Sequence, residues 1–122
     1  MWTYRQETGE LLHEGEHVAW GYSGAENAGY NNPAMENVRS KGPIPRGRWL
    51  IEGPPFDTPT HGPYVLRLTP AQETKTFGRS GFLCHGDSIR RPGTASEGCI
   101  IMARKIREQI WKSGDRDLLV TV

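Results

Sequence analysis

Residues 82–101 read FLCHGDSIRRPGTASEGCII. Two short apolar segments stand at the ends of this stretch, and a turn rich in glycine, proline and serine joins them. The turn lets the chain turn back on itself, so the two segments are predicted to be neighbouring elements. The first, a predicted strand, ends at His85, and the second begins at Cys99. This places a histidine and a cysteine, the two parts that thiol acyl transfer requires, on adjacent elements.

The alternation of side chains along a strand indicates which of the two cysteines the histidine can deprotonate. Successive residues point to opposite faces, so Leu83 and His85 share one face while Cys84 points to the other. A thiol near its ordinary pKa of about 8.5 is mostly protonated at neutral pH, and it needs a base or a positive neighbour to become a thiolate. His85 is therefore predicted to act on Cys99 rather than on Cys84.

Three residues around this pair have predicted roles. Gly98 carries no side chain, so a carbonyl substrate can approach Cys99 and backbone N–H groups can point at the developing oxyanion. Ser96 lies in the same turn and is assigned either to the turn or to the oxyanion site. Asp87 either orients or charge-stabilises the His85 imidazolium, as the third member of a triad, or orders the loop as a turn residue.

Frequent glycine and proline favour a mainly β fold. The chain has 15 glycines and 9 prolines, which leave room for one convincing helix. That helix is predicted over Ala103–Lys112, because Ile106 and Ile110 share a face and Ser113-Gly114 supplies the glycine expected after a helix end. We expect a β-sandwich or a partly open barrel of short strands, with this helix in the C-terminal half.

Strands are predicted where apolar residues run or alternate between the breaks. The predicted strands are residues 1–5, 11–12, 17–23, 48–51, 64–68, 81–85 and 118–122. Pro54, Pro55 and Pro59 are predicted to end the strand that begins at Arg48. Residues 24–42 are polar and rich in Asn and Gly, and they are predicted to form a loop that lines the site.

Length and charge exclude several classes of protein. A chain of 122 residues makes one domain, residues 1–122. Its 15 Lys and Arg against 14 Asp and Glu give a net charge of +1, so no nucleic-acid partner is expected.

No window approaches the ~20 apolar residues of a membrane span, and Met1 leads into a patterned strand rather than an export signal. Two cysteines cannot form the dense disulfide framework of a small secreted domain, although a single disulfide between them is possible by number.

The segments around the histidine and the cysteine resemble a known enzyme signature. HGD at 85–87 followed by SEGCI at 96–100 is similar to the L,D-transpeptidase motif, in which a His-Gly pair precedes a Ser/Thr-x-Gly-Cys segment. GPIPRGRW at 42–49 looks like the entry to an upstream strand of that family. A closer resemblance, to the L,D-transpeptidase effectors of type VI secretion systems, is carried by SGFLCHGDS at 80–88, NNP at 31–33 and WTY at 2–4.

The chain departs from the wider family at two positions. Glu97 stands where many L,D-transpeptidases have a second histidine, and Ile101 stands where they have an arginine. Both departures favour the effector branch over a housekeeping cross-linking enzyme. The positive charge that a substrate carboxylate requires would then come from Arg79, Arg90 or Arg104.

The resemblance implies a peptidoglycan-directed cysteine enzyme that needs no cofactor and no metal. It implies attack on the L,D bond between the diamino acid and the terminal D-alanine of stem tetrapeptides, with Cys99 as nucleophile and His85 as base. Water would resolve the acyl-enzyme in an L,D-carboxypeptidase reaction, and a free D-amino acid would resolve it by exchange. Gly86 is a further candidate substrate contact beside the histidine.

The effector resemblance also implies a location and partners. The protein is expected to be made in the cytoplasm without a Sec signal, to be exported by a secretion-system component, and to act in the periplasm of target bacteria. A cognate immunity protein that plugs the cleft of His85 and Cys99 is the second expected partner.

Two other functions and one other kind of site remain open from the sequence. A sortase-like transpeptidase also places a histidine before a cysteine on a β-rich scaffold, although the segment before Cys99 matches its Thr-rich motif poorly. A non-catalytic wall-binding module would hold Cys84 and Cys99 buried or bridged. A zinc site would use Cys84, His85, Cys99 and His61, which lack a recognised ligand spacing.

Overall fold

Nine strands of the chain form one open, mixed sheet. The computed structural model describes residues 1–122. The strands are β1 (Trp2–Arg5), β2 (Glu10–His13), β3 (Glu16–Trp20), β4 (Tyr22–Ser23), β5 (Gly47–Thr58), β6 (Gly62–Pro70), β7 (Leu83–His85), β8 (Ile100–Ile101) and β9 (Asp117–Thr121). Their order is β3-β2-β1-β9-β5-β6-β7-β8-β4, with parallel pairing of β1 to β9 and of β7 to β8. The predicted mainly β fold is confirmed.

A single α-helix, α1 (Arg104–Lys112), lies between β8 and β9. Ile106 and Ile110 are buried on its apolar face, as the sequence predicted. Gly114 has a φ of +75° just past the helix end, in the left-handed region that glycine adopts readily. The predicted helix and its glycine stop are confirmed. This helix is neither long enough nor apolar enough to span a membrane.

One core joins the sheet to the helix. Sixteen buried apolar residues form a single cluster, with members from β1, β2, β5, β6, β7, β8, β9 and α1. Trp111 packs against this cluster from the helix and is partly buried. Cys84 belongs to the cluster, so its thiol packs as a small apolar side chain.

The strand predicted over residues 17–23 is in fact two strands. β3 ends at Trp20 and lies at one edge of the sheet, whereas β4 begins at Tyr22 and lies at the other edge. Gly21 separates them, and it packs so closely on the carbonyl of Ile101 that a side chain there would collide. The apolar alternation continues through this crossing, which is why the sequence pattern hides the break.

β5 continues past the prolines that were predicted to end it. The strand pairs with β6 as far as Thr58, and its register shifts between Glu52 and Phe56. Pro54 and Pro55 lie in this irregular section, where the ladder does not require their missing N–H donors. The prolines therefore interrupt the ladder without ending the strand.

The parallel pair β7 and β8 positions the histidine and the cysteine. His85 pairs with Ile101, so Cys99, two residues before Ile101, stands opposite Leu83, two residues before His85. Residues opposite one another in a sheet point to the same face. Cys99 therefore shares a face with His85, while Cys84 points into the core.

Candidate active site

A cleft of about 1180 Å³ opens beside β7 and β8. His85 and Cys99 both line it. Eight other residues that the sequence analysis named line it too: His61, Arg79, Gly86, Asp87, Arg90, Glu97, Gly98 and Arg104. Arg39 and Ser40 bring the 24–42 loop to the cleft, as predicted for that loop. Ser96 is buried and does not reach the cleft surface.

His85 is held in the form of a base. Its side chain is buried, with the residue 2% exposed, and Nδ1 lies 2.8 Å from the carbonyl oxygen of Gly86. A carbonyl only accepts hydrogen bonds, so the neutral ring carries its proton on Nδ1 and a free lone pair on Nε2. Nε2 is buried and has no hydrogen-bond partner in the chain.

The surroundings of His85 keep its imidazole neutral. Burial lowers its pKa most, and electrostatic interactions with the neighbouring His61 and Arg107 lower it further. The Gly86 carbonyl and the Asp87 carboxylate act in the opposite direction and raise it. The net shift of the pKa is downward, so the ring is unprotonated at neutral pH and can accept a proton.

Cys99 is a half-buried thiol rather than a ready thiolate. Burial raises its pKa to about 11, and the charge of Glu97 raises it further. A hydrogen bond from the backbone of Leu83 and the charge of Arg79 act in the opposite direction. The thiol therefore stays protonated in the free protein and needs a base when it attacks a substrate.

Ser96 builds the turn that precedes the cysteine. Its Oγ accepts hydrogen bonds from the N–H groups of Gly24, at 2.9 Å, and Gly98, at 3.1 Å. The same hydroxyl donates to the carbonyl of Cys99 at 2.7 Å. Of the two roles assigned to Ser96, these hydrogen bonds correspond to the one in the turn.

The two backbone N–H groups beside the Cys99 sulfur differ in their hydrogen bonding. The N–H of Gly98 is used by Ser96, whereas the N–H of Cys99 donates to no acceptor in the chain. Gly98 contributes through its backbone: it has a φ of +137°, and a Cβ there would collide with the Arg79 guanidinium. The free donor beside the sulfur is therefore the amide of Cys99 itself.

Asp87 orders the loop between the base and the nucleophile. Its Oδ1 accepts from the Tyr22 hydroxyl at 2.5 Å and from the Ser88 N–H at 2.8 Å, and its Oδ2 accepts from the Gly93 N–H at 3.1 Å. The partner of His85 Nδ1 is the Gly86 carbonyl, so Asp87 does not hold the imidazole directly. Of its two predicted roles, the structure shows loop ordering, and its charge still favours the imidazolium.

Arg79 and Arg90 occupy different positions in the cleft. Arg79 is buried, and its guanidinium donates to backbone carbonyls at Glu36, Gly42, Pro43 and Glu97. It therefore ties the 24–42 loop to the turn before Cys99. Arg90 is exposed and makes no hydrogen bond within the chain.

The family model of the Tlde1 domain matches residues 17–121. The chain belongs to the Tlde1 domain family. Members of this family are type VI secretion effectors that act as antibacterial toxins. Neither the curated proteins nor the solved structures provide a match. The matched range includes both His85 and Cys99, so the whole candidate site lies within the Tlde1 domain.

Three further residues complete the site of this Tlde1 domain: two that the sequence analysis did not name, and one, His61, that it named only as an alternative zinc ligand. Arg107 is 3% exposed, and it donates to the carbonyls of Pro63, Tyr64 and Met102. The other two are Tyr22, which holds Asp87, and His61, whose ring centre lies 4.6 Å from that of His85. Each contacts the site from a distant part of the chain, and no local sequence pattern signals such contacts.

The second cysteine of this Tlde1 domain takes no part in the cleft. Both cysteines are free, so they are not bridged. Burial in the core raises the pKa of Cys84 to about 12. Its sulfur lies on the other face of β7 from Cys99, which also separates it from the set of ligands that the zinc alternative required.

Proposed function

We propose that this effector is a cysteine enzyme that acts on the L,D bond of peptidoglycan stem tetrapeptides. One observation carries the proposal: His85 presents a buried, unpartnered Nε2 to the same cleft that holds the thiol of Cys99. A buried polar atom without a partner is costly, and it is retained where a substrate or a reacting group will supply the partner. The sequence resemblance to L,D-transpeptidases supports the choice of substrate class.

The first half of the reaction forms a thioester. Nε2 of His85 takes the thiol proton as the sulfur of Cys99 attacks the carbonyl carbon of the diamino acid. The free N–H of Cys99 donates to the oxygen that becomes negative. When the tetrahedral intermediate collapses, the C–N bond breaks, His85 returns the proton to the nitrogen, and D-alanine leaves.

The second half releases the enzyme. Water attacks the thioester while His85 accepts its proton, and the thiolate leaves and is reprotonated, which gives L,D-carboxypeptidase action. A free D-amino acid attacks through its amine in the same way, which gives exchange. The two outcomes share one mechanism and differ in the acceptor that enters the cleft.

Delivery follows from the family rather than from the site. A type VI secretion effector that acts on peptidoglycan has its substrate in the periplasm of the target bacterium. A cognate immunity protein would protect the producing cell, and we place it over the cleft of His85 and Cys99. If co-expression of the neighbouring gene product leaves toxicity in the periplasm unchanged, this partner assignment is wrong.

The enzyme assay uses defined tetrapeptides with and without free D-amino acids, and the products are identified by mass. We expect Cys99→Ala to abolish D-alanine release, because no acyl-enzyme forms without the sulfur. We expect His85→Gln to lower the rate about 100- to 10,000-fold, the usual contribution of general base catalysis. Cys84→Ala is the matched control and should keep its activity.

The same assay separates the alternatives. D-alanine release by the Cys99→Ala protein would overturn the assignment of the nucleophile. A sortase-like enzyme would cleave a sorting peptide and leave the tetrapeptide intact. A wall-binding module would bind the tetrapeptide without turnover in any variant.

A further inference from the structure

The cleft gathers positive charge. Five of its lining residues are arginines, and they face only two carboxylates, those of Asp87 and Glu97. The chain as a whole, in contrast, has a net charge of +1. The five are Arg39, Arg79, Arg90, Arg104 and Arg107. A cleft lined by one sign of charge attracts ligands of the opposite sign.

Two of these arginines are already engaged by the protein. Arg79 and Arg107 are buried, and each donates to three or more backbone carbonyls. These bonds use most of the donors of each guanidinium. Arg79 and Arg107 therefore fix the scaffold of the site and are not free to bind an anion.

Arg104 is oriented but not fully engaged. Its Nε donates to Glu108 at 3.0 Å, and its guanidinium lies 4.8 Å from the centre of the Tyr64 ring. Neither of its Nη groups donates to an acceptor in the chain, so a planar edge is free. Such an edge binds a carboxylate through two parallel hydrogen bonds. The other two arginines, Arg39 and Arg90, have no aromatic ring beneath the guanidinium.

The backbone around Arg104 also favours an anion. Arg104 is the first residue of α1, and Ala103 before it provides no side-chain cap. The backbone N–H groups of Arg104 and Lys105 donate to no acceptor in the chain. One turn further along α1, Arg107 packs beneath Gly86, beside His85 and its unpartnered Nε2. Arg104, with its free N–H donors, and His85, with its free Nε2 acceptor, thus line the same cleft.

We propose that Arg104 binds a carboxylate of the stem peptide, with the uncapped first turn of α1 beside it, and so positions the scissile bond over His85 and Cys99. This inference rests on the proposed function for the identity of the peptide. A stem tetrapeptide with lysine as its diamino acid offers a carboxylate at its terminal D-alanine and another at its glutamyl residue. Amidation of one carboxylate at a time distinguishes these two sources.

The test measures binding without turnover. Dissociation constants of the tetrapeptide, and of its two singly amidated forms, are measured for the Cys99→Ala protein and for Cys99→Ala/Arg104→Gln. We expect Arg104→Gln to weaken binding of the unmodified peptide about 10- to 100-fold, as for a lost charged hydrogen-bond pair. Amidation of the carboxylate that Arg104 binds should weaken binding to the Cys99→Ala protein by a similar factor. The same amidation should not weaken binding to the Cys99→Ala/Arg104→Gln protein any further.

Arg91→Gln is the matched control. Arg91 is exposed and pairs with Glu26 at 3.2 Å, much as Arg104 pairs with Glu108, but it does not line the cleft. Its substitution should leave all three dissociation constants unchanged. Arg104→Lys, which keeps the charge without the planar fork, should bind with intermediate affinity, and thermal melting shows that each variant is folded.

The outcomes separate this inference from the proposed function. If each amidation weakens binding to the Arg104→Gln protein and to its parent by the same factor, Arg104 binds neither carboxylate and the inference is overturned. If the wild-type protein releases no D-alanine while binding still depends on Arg104, the proposed activity fails and the carboxylate assignment stands.

Discussion

Cys99 and His85 are both neutral in the free protein at neutral pH. Burial raises the pKa of the thiol to about 11 and lowers the pKa of the imidazole, so neither shift favours a preformed thiolate–imidazolium pair. In the proposed mechanism the proton therefore moves as the substrate is attacked. The same two shifts predict that the thiol of the free protein reacts weakly with electrophiles.

Alkylation of the free protein measures this state of Cys99. We expect its rate with iodoacetamide to rise about tenfold per pH unit between pH 7 and pH 9, because only the thiolate reacts. Glu97→Gln should raise the rate at any fixed pH, since the carboxylate raises the thiol pKa. The Cys99→Ala protein is the control: Cys84 is buried and should stay unmodified. A rate that levels off below pH 7 would show a preformed ion pair instead.

Gly98 is irreplaceable for two separable reasons. Gly98→Ala should suffer both from its positive φ and from collision with the Arg79 guanidinium. Gly93→Ala suffers only the first, because φ is +89° there and a Cβ would meet no atom within 4 Å. We expect Gly98→Ala to lower the free energy of unfolding by about 1–3 kcal/mol more than Gly93→Ala, the usual cost of overpacking. Urea denaturation of both variants measures the difference, and equal losses would contradict it.

At the scale of elements, the loop between β7 and β8 is held by the edge strand β4, which pairs with β8. The Tyr22 hydroxyl of β4 donates to Asp87 and accepts from the Ala95 N–H at 2.9 Å, so it joins the two ends of the loop. The next residue, Ser96, donates from its hydroxyl to the carbonyl of Cys99 and so holds the turn before Cys99. The strand β4 thus fixes the separation between base and nucleophile, although it carries neither.

Removal of the Tyr22 hydroxyl should loosen this loop while the sheet stays intact. A hydrogen bond to a charged group contributes about 1.5–3 kcal/mol, so in Tyr22→Phe we expect hydrogen exchange at the Ala95 amide to be at least tenfold faster. We also expect Tyr22→Phe to release D-alanine more slowly than the wild-type protein. Tyr30→Phe is the control, because the Tyr30 ring stacks on Tyr22 but its hydroxyl bonds to nothing in the chain. Unchanged exchange at Ala95 would contradict the assigned role of Tyr22.

The same elements show what sequence can and cannot predict. α1, and the placement of His85 and Cys84 on opposite faces of one strand, follow from local periodicity, which acts over a few residues. The break at Gly21 and the passage of β5 through Pro54 and Pro55 depend on packing and register against distant strands, so local pattern mispredicts both. The role of Tyr22 depends on a contact with a residue far away in the chain, and nothing near Tyr22 in the sequence signals it.

At the scale of the whole molecule, the last strand closes the fold. β9 lies between β1 and β5, and it pairs in parallel with β1 and antiparallel with β5. Along the chain, this central strand follows β8 and α1, which lie beside the cleft. The candidate site and the centre of the sheet therefore share one core, and we expect them to unfold together.

Two adjacent leucines of β9 test this cooperativity. Leu118 is buried in the core cluster, whereas Leu119 is only half-buried on the other face of the strand. We expect Leu118→Ala to lower the free energy of unfolding by about 2–5 kcal/mol, as large-to-small core substitutions do. Leu119→Ala, the matched control, should cost clearly less, because fewer apolar contacts are lost. Tryptophan fluorescence during urea denaturation measures both.

Alkylation of Cys84 provides the second measurement on the same variants. This thiol is inaccessible in the folded chain, so its modification reports opening of the core beneath the cleft. If the chain unfolds as one cooperative unit, the urea concentration at the midpoint of Cys84 alkylation should equal that at the midpoint of the fluorescence transition. In Leu118→Ala both midpoints should fall to the same lower urea concentration. If Cys84 became reactive at a lower urea concentration than the fluorescence transition, the β7–β8 region would open independently of the central sheet, and the single-core description would be wrong.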